Sequence, residues 1–526
     1  MSIIKLIGSL CLSLILIITV NHNVYAASSS NIPLDSSIYE DLERLELKGL
    51  INSGVLSSKP FSRIEGARIV KEAIAVSSSP EFKDKTGYQS IIDRLKKEFA
   101  IELTKSKETY ESKESEESEV SQESVRLTPL KSAYLTILYS YAEPIHISKN
   151  NSGNIYTAGA NIRAGFSSAA TFYDSATILL APEMSFNNKA VGVDFYNAYL
   201  LLDIVGIELE IGRDSMWWGN GKNGSLLLSN NMRPFDMIKL TSTESFILPW
   251  IFQYLGQFKP VVFYTSLESK RDIPNAKFAG MRLDFKPLPQ FQIGLTRTIM
   301  FGGDGRATMG IGGWFNTFFV NAISEHFNST YDNDQLASID AALTFSNQSD
   351  TLPFTGLRLY TEWGAEDSAG AAGGGIPNPN GFSYMVGLLV DEPARINGVD
   401  IRAEWADTAM NERYGVLWYK HGVYTFGYTY NRRVMGHAMG GDANSLYLRT
   451  QYHLDNGGVL GVEYEGVWSG IHRNSTSYRW LGGDISYPVL KYLTLEGGGG
   501  YETTKDSSSS FTVKGIVIWT TAKLNF

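Results

Sequence analysis

The sequence runs to 526 residues, of which 43% are hydrophobic, 19% charged and 12% aromatic, with 50 glycines. That balance argues against a globally disordered chain, and the length calls for several domains or one large closed structure. The formal net charge of −9 comes without a basic stripe, which argues against nucleic acid as a partner.

Lys5 precedes an apolar run from Leu6 to Val20, and Val24-Tyr25-Ala26 follows. A charged start, an apolar centre and a small-residue cleavage site read as a secretory signal peptide over 1–26. The alternative is an uncleaved anchor, but the run is short against the ~20 residues of a spanning helix. Cys11, the one cysteine, lies inside this leader. The mature chain then has none, so disulfides, thiol catalysis and Cys-ligated metals are excluded. No later apolar stretch is long enough for a membrane helix. If the mature chain spans a membrane it must do so as a closed barrel, because only helices and closed barrels satisfy their backbone groups in lipid.

Residues 27–104 carry helical signals. Ser37 and Glu40 have capping-box spacing ahead of Ile38, Leu42 and Leu45, with Gly49 as the stop. Ser62 and Glu65 repeat the box ahead of Ile64, Ala67, Val70 and Ile74. Tyr88, Ile91, Leu95 and Phe99 form a third periodic run. Three short amphipathic helices are expected to pack together. Residues 105–129 are expected to be a linker. Ser and Glu fill 13 of the 20 positions from 105 to 124, too little apolar area to offset ordering entropy.

From 130 to 526 the pattern switches to period two. Ala279, Met281, Leu283 and Phe285 alternate with Gly280, Arg282 and Asp284. Ile339, Ala341, Leu343 and Phe345 alternate with Asp340 and Thr344. Ile401, Ala403 and Trp405 alternate with Arg402 and Glu404, and Leu460, Val462 and Tyr464 with Gly461, Glu463 and Glu465. Such strands have one apolar and one polar face, as a lipid-facing barrel with a polar interior requires. A soluble sandwich shows the same alternation. The chain end favours the barrel: Ile516, Ile518, Ala522, Leu524 and terminal Phe526 share one face, resembling the signal that outer-membrane barrels present to their insertion machinery. At ~20–25 residues per strand, this region holds on the order of 16–20 strands. The expected fold is mainly β, a large antiparallel transmembrane barrel with a small N-terminal helical element.

The sequence offers no catalytic or cofactor-binding motif. The run Gly219-Asn220-Gly221-Lys222-Asn223-Gly224-Ser225 fails as a phosphate loop because Asn223 follows the lysine. Asp332-Asn333-Asp334 reads as a solvated turn rather than a calcium loop, and the histidines lack metal-ligand spacing. No catalytic residue, cofactor or metal is expected. The candidate site is Gly212-Arg213-Asp214-Ser215-Met216-Trp217-Trp218-Gly219, continuing to Asn231. Tryptophan stacks on sugar rings and planar polar groups pair with sugar hydroxyls, which makes Arg213, Trp217, Trp218 and Asn220 carbohydrate-binding candidates. The competing reading places the two tryptophans in an interfacial girdle or in internal packing. Arg297, Asp304, Glu404 and Arg449 are candidate lumen partners, or members of an internal salt-bridge network.

Several ordered blocks resemble the Wzi family of outer-membrane capsule assembly proteins. They are Ile38-Tyr39-Glu40-Asp41-Leu42 with Gly49-Leu50-Ile51, Ser62-Arg63-Ile64-Glu65 with Ala67-Arg68, and Gly212-Arg213 through Trp218-Gly219 to Leu226-Leu227-Leu228-Ser229-Asn230-Asn231. Arg297–Gly305, Glu362–Asp367, Glu404–Thr408 and Met435–Gly440 follow in order. The resemblance implies a barrel of about 18 strands, closed at its periplasmic end by a helical element. It also implies a lectin-like protein that binds capsular polysaccharide and helps attach the capsule, rather than an enzyme or export channel. The implied partners are capsular or other surface polysaccharide, outer-membrane lipid, and the barrel-insertion machinery during biogenesis. Two alternatives remain. One is a diffusion porin with a cell-wall anchor, since Ser62–Arg68 also resembles a surface-layer-homology module. The other is a barrel enzyme, for which no nucleophile with a base is evident.

Overall fold

The computed structural model describes residues 28–82, 87–104, 125–307, 333–347, 351–366, 382–409, 418–472, 474–507 and 512–526. Residues 1–27, where the signal peptide is expected, and the Ser/Glu run 105–124 lie outside these residues, as does Asp332. Among them, 18 antiparallel strands close into one barrel. The first, Val125–Ser140, pairs with both the second, Gly159–Phe172, and the last, Thr512–Asn525. This strand starts at Val125, inside the stretch read as linker. Closure leaves no unpaired edge, so each strand's backbone groups are satisfied by its two neighbours.

Period two sorts the side chains. Ile137, Leu180, Ile211, Ile339, Leu359, Ile401, Val462 and Ile518 are exposed on the outer wall, an apolar band that only lipid would cover. Arg282 and Asp284 from the strand Lys277–Leu288 are fully buried on the lumen side. Turns such as 205–206, 289–290 and 491–492 lie at one end, and the long connections 141–158 and 215–234 and the segment 418–442 at the other. Short turns mark the periplasmic end of such a barrel and long loops the outer surface. Terminal Phe526 lies at the short-turn end, stacked on Tyr492.

Three helices precede the barrel: α1 (Ile38–Leu47), α2 (Arg63–Ser77) and α3 (Gln89–Glu98). Leu42, Leu45, Ile69, Val70, Ala73, Ile91, Leu95 and Phe99 form their common core. The Ser62 hydroxyl caps α2 by accepting from Glu65 N. Ser37 makes no such bond, because its backbone is already helical and the Ser36 hydroxyl accepts from Ile38 N instead. Gly49, at φ 76°, ends α1; its N–H reaches Glu46 O and that of Leu50 reaches Leu45 O.

The opposite face of α1 is charged and docks against the short-turn end of the barrel. Glu40 meets Lys222 at 2.5 Å and Glu43 meets Arg402 at 2.5 Å. Glu46 pairs with both Lys286 and Arg358. Lys48 binds Asp391 at 2.7 Å and Glu392 at 2.9 Å. One amphipathic helix therefore buries its apolar stripe in the bundle and its polar stripe in the barrel mouth. The polar side chains of Ser62–Arg68 are also engaged internally: Arg63 holds Glu98 and Glu102, and Arg68 holds Glu65 and Ser245.

Glu46→Ala would leave Lys286 and Arg358 buried without their shared carboxylate, a kind of loss that costs on the order of 3–5 kcal/mol. The expected outcome is faster hydrogen exchange across the α1–α3 bundle, with the barrel strands unchanged. Exchange identical to the parent protein would refute this docking role.

Candidate functional site

Inside the barrel the N-terminal part meets the candidate segment backbone to backbone. Ser58 and Lys59 pair antiparallel with Trp218 and Trp217. Gly219 N donates to Ser57 O at 2.9 Å, and Trp218 N donates to Leu228 O at 3.0 Å. Residues 217–228 thus descend from the long-loop end into the lumen and are gripped from below by residues 57–59.

Carboxylates on the barrel wall hold this descending loop. Glu362 accepts from Leu226 N at 3.0 Å and from the Ser225 hydroxyl at 3.2 Å. Glu404 accepts from Lys222 N at 2.6 Å, Asn223 N at 2.9 Å and the Tyr360 hydroxyl at 2.6 Å. Asp340 accepts from Asn220 Nδ2 at 2.8 Å, while Arg358 donates to Asn220 Oδ1 at 2.8 Å. Glu465 accepts from Asn223 Nδ2 at 3.1 Å. Asp340 also takes Arg282 at 2.6 Å, and Arg282 donates to the Ser57 hydroxyl at 2.8 Å. The network therefore runs from the N-terminal segment through the wall to the loop. Charge-assisted bonds to backbone N–H groups are stronger than neutral ones, so they fix the loop's path as well as its position.

A second inward fold, 418–442, covers the first. The Tyr419 hydroxyl donates to Leu226 O at 2.5 Å and the Tyr428 hydroxyl to Leu227 O at 3.0 Å. Ser229 N donates to Met435 O at 2.9 Å. Leu226, Leu227, Leu228, Phe235, Phe263, Trp418, Tyr424 and Met435 join Trp218 in an apolar core within the barrel. The connection 141–158 is tied down as well. His146 contacts Glu463 at 2.7 Å and Glu465 at 3.1 Å and stacks on Trp480, with ring centroids 4.4 Å apart. Lys149 binds Glu465 at 2.8 Å.

Trp217 and Trp218 are 8% and 1% exposed, and Trp218 lies edge-on to the lumen-facing Phe263. Both belong to internal packing, and neither offers a face to the outer surface. Asn220 is buried and holds Asp340 and Arg358. Arg213 stands apart from them at the rim, with a bidentate grip on Asp236 at 2.8 and 2.7 Å and a bond to Asp194 at 2.9 Å. Of the four candidate lumen residues, Glu404 and Arg449 line the interior; Arg449 binds Glu463 at 2.9 Å and Asp484 at 2.8 Å. Arg297 lies on the opposite strand face from the buried Thr296 and Thr298. Asp304 sits in an exposed loop and accepts from Asn275 at 2.8 Å. Neither of these two joins the network, because one is out of phase with the lumen and the other lies beyond its strand. Asp340 and Glu465 were visible as polar-phase residues. Their role as anchors, like that of Glu362, depends on a loop brought over them from far away in sequence. Among the described residues, no three His, Asp or Glu side chains converge as a metal site.

A closed antiparallel cylinder with an apolar outer wall and an interior occupied by its own chain defines a class: a large outer-membrane β-barrel that carries its own plug. The chain belongs to the capsule assembly protein Wzi family, whose model matches residues 141–508, well over half of its length. It is therefore an outer-membrane protein of the capsule assembly family. Wzi of Escherichia coli, described as an outer-membrane protein involved in group 1 capsule assembly and a carbohydrate-binding β-barrel, superimposes with a TM-score of 0.69. That similarity covers 95% of this chain and 100% of that one at 17% identity. An uncharacterized 55.8 kDa protein in the cps region of Klebsiella pneumoniae is 25% identical over 229 residues, which is 43% of this chain and 38% of that protein.

Two outcomes follow from the loop anchoring. Burial opposes a charge on His146, but its bonds to Glu463 and Glu465, with their charges, outweigh burial and raise it from 6.5 to about 9. A raised folded-state pKa stabilises fully below the unfolded value and not at all above the folded one. Protection of 141–158 against hydrogen exchange, corrected for intrinsic rates, should therefore decline between pH 6.5 and about 9. His146→Gln should remove that trend, and a flat profile in the parent protein would contradict the assignment. Separately, a Cβ on Gly224 would fall 2.1 Å from the ring of His437, which is buried and held at about 4 by that burial. Gly224→Val should displace the loop and expose Trp217 and Trp218 to iodide quenching. Unchanged quenching would show that the loop tolerates the added bulk.

Proposed function

We propose that this protein is a non-enzymatic, lectin-like barrel that binds capsular polysaccharide at its outer face and helps hold the capsule on the cell. The observation that carries this reading is the occupied lumen. With residues 57–59, 217–228 and 418–442 inside the barrel, a polymer is left the loop face rather than a passage. Family membership supports the capsule role, and the carbohydrate-binding description of the Escherichia coli relative supports the ligand class. The interior carboxylates Glu362, Glu404 and Asp340 are engaged in holding loop backbone and guanidinium groups, which supports binding without turnover.

In this reading Trp217, Trp218 and Asn220 act through the shape of the loop they anchor, and Arg213 is the candidate that stands at the rim. The porin alternative needs an open lumen and gains no support from this interior. Purified protein is expected to bind the organism's own capsular polysaccharide saturably in calorimetry and to give no steady conductance in planar bilayers. A deletion strain should release capsule into the medium. Stable channels without polysaccharide binding would overturn the proposal in favour of a porin.

A further inference from the structure

The outer wall changes chemistry abruptly over the last three strands, Thr476–Leu490, Leu493–Asp506 and Thr512–Asn525. Their register places Leu481, Tyr501 and Ile516 in one row. These are lipid-facing residues, 59%, 43% and 54% exposed. One row nearer the long-loop end, Arg479 pairs with Thr503 and Thr503 with Lys514. The next row sets Lys505 between Ser477 and Thr512. Arg479, Lys505 and Lys514 are all exposed, whereas Tyr478, Trp480 and Glu502 between them are buried on the lumen side. Three cations therefore neighbour Thr503 in the sheet register just where the apolar belt ends.

Their surroundings make this unusual. Two carboxylates of the same strands are engaged inside: Glu502 accepts from Tyr478, Ile145 N and His146 N, and Asp484 binds Arg449. Among the described residues, none of the three cations forms an ion pair. Elsewhere at this rim other outward cations are paired, Arg213 with Asp194 and Asp236, and Lys189 with Glu143. Diagonal neighbours in a sheet lie ~7–8 Å apart, and like charges at that separation repel one another. An anion at headgroup depth would reverse the sign of that term.

We propose that Arg479, Lys505 and Lys514, with the Thr503 hydroxyl, bind a phosphate group of a phosphorylated glycolipid in the outer leaflet. The guanidinium can grip two phosphate oxygens while the ammonium groups act as point charges. Long aliphatic stems let such side chains rest on apolar surface while their charged heads reach the interface. This site depends on the membrane placement of the barrel and not on polysaccharide binding, so the two fail separately.

The test uses the full protein in phosphatidylcholine nanodiscs containing either bis-phosphorylated lipid A or lipid A stripped of its phosphates, with retained glycolipid counted by native mass spectrometry. The parent protein should retain the phosphorylated form and not the stripped one. The Arg479→Gln, Lys505→Gln, Lys514→Gln triple variant should lose retention on the order of tenfold, and Lys189→Gln should not. Heat-modifiable gel migration checks folding; if the triple variant fails to insert, the single Lys514→Gln variant must show a partial loss. Equal retention of both lipids, unchanged retention in the variants, or loss only of soluble polysaccharide binding would overturn the proposal.

Discussion

Charges enclosed in a barrel need partners, because an unpaired ion away from water costs several kcal/mol. Most of this structure follows from how those partners are supplied. The strands place Arg282, Asp284, Asp340, Arg358, Glu362, Arg402 and Glu404 on the inner wall, and their phase along each strand leaves them no other direction. Some neutralise each other, as Arg282 does with Asp284 and Asp340. The remainder is met by segments that enter the lumen: α1 brings Glu43 and Glu46 to Arg402, Arg358 and Lys286, and the loop 219–226 brings backbone N–H groups to Glu362 and Glu404.

That arrangement makes the plug and the wall one electrostatic unit. Ser57 touches Asp284 and Arg282, Arg282 touches Asp340, and Asp340 touches Asn220. A perturbation on the periplasmic side thus has a continuous bonded route to the loops that shape the outer face. Above this polar layer, the aromatic core around Trp218, Trp418 and Tyr428 seals the loops to each other by burial instead of charge. The division of labour is physical: directional bonds set where the loop runs, and nondirectional apolar contact holds the cover in place.

The sequence by itself determined the strands, their phase, the helices and the outer-membrane character. Alternation at Met281-Arg282-Leu283-Asp284 reports strand and face together, because successive side chains in a strand must point to opposite sides. The buried stripe of Leu42, Leu45, Ile91 and Leu95 was legible for the same kind of reason, the helical period. Two of the motif blocks that pointed to the family, Gly212 to Asn231 and Met435 to Gly440, overlap the segments that fill the lumen; the others lie in the helical bundle and on or beside barrel strands. Only the tertiary structure decided what those segments do. Trp217 and Trp218 look alike as sugar platforms, girdle residues or core, since a tryptophan's apolar face and single donor suit all three; their burial depends on Ser58 and Phe263, which are distant in sequence. Arg297 and Arg449 are equivalent as charges in a strand, yet one position of phase sends one outward and the other to Glu463 and Asp484. Local periodicity fixes which way a side chain points. Which partner waits there is set by chain closure and by loops folding back across hundreds of residues, and no local pattern carries that information.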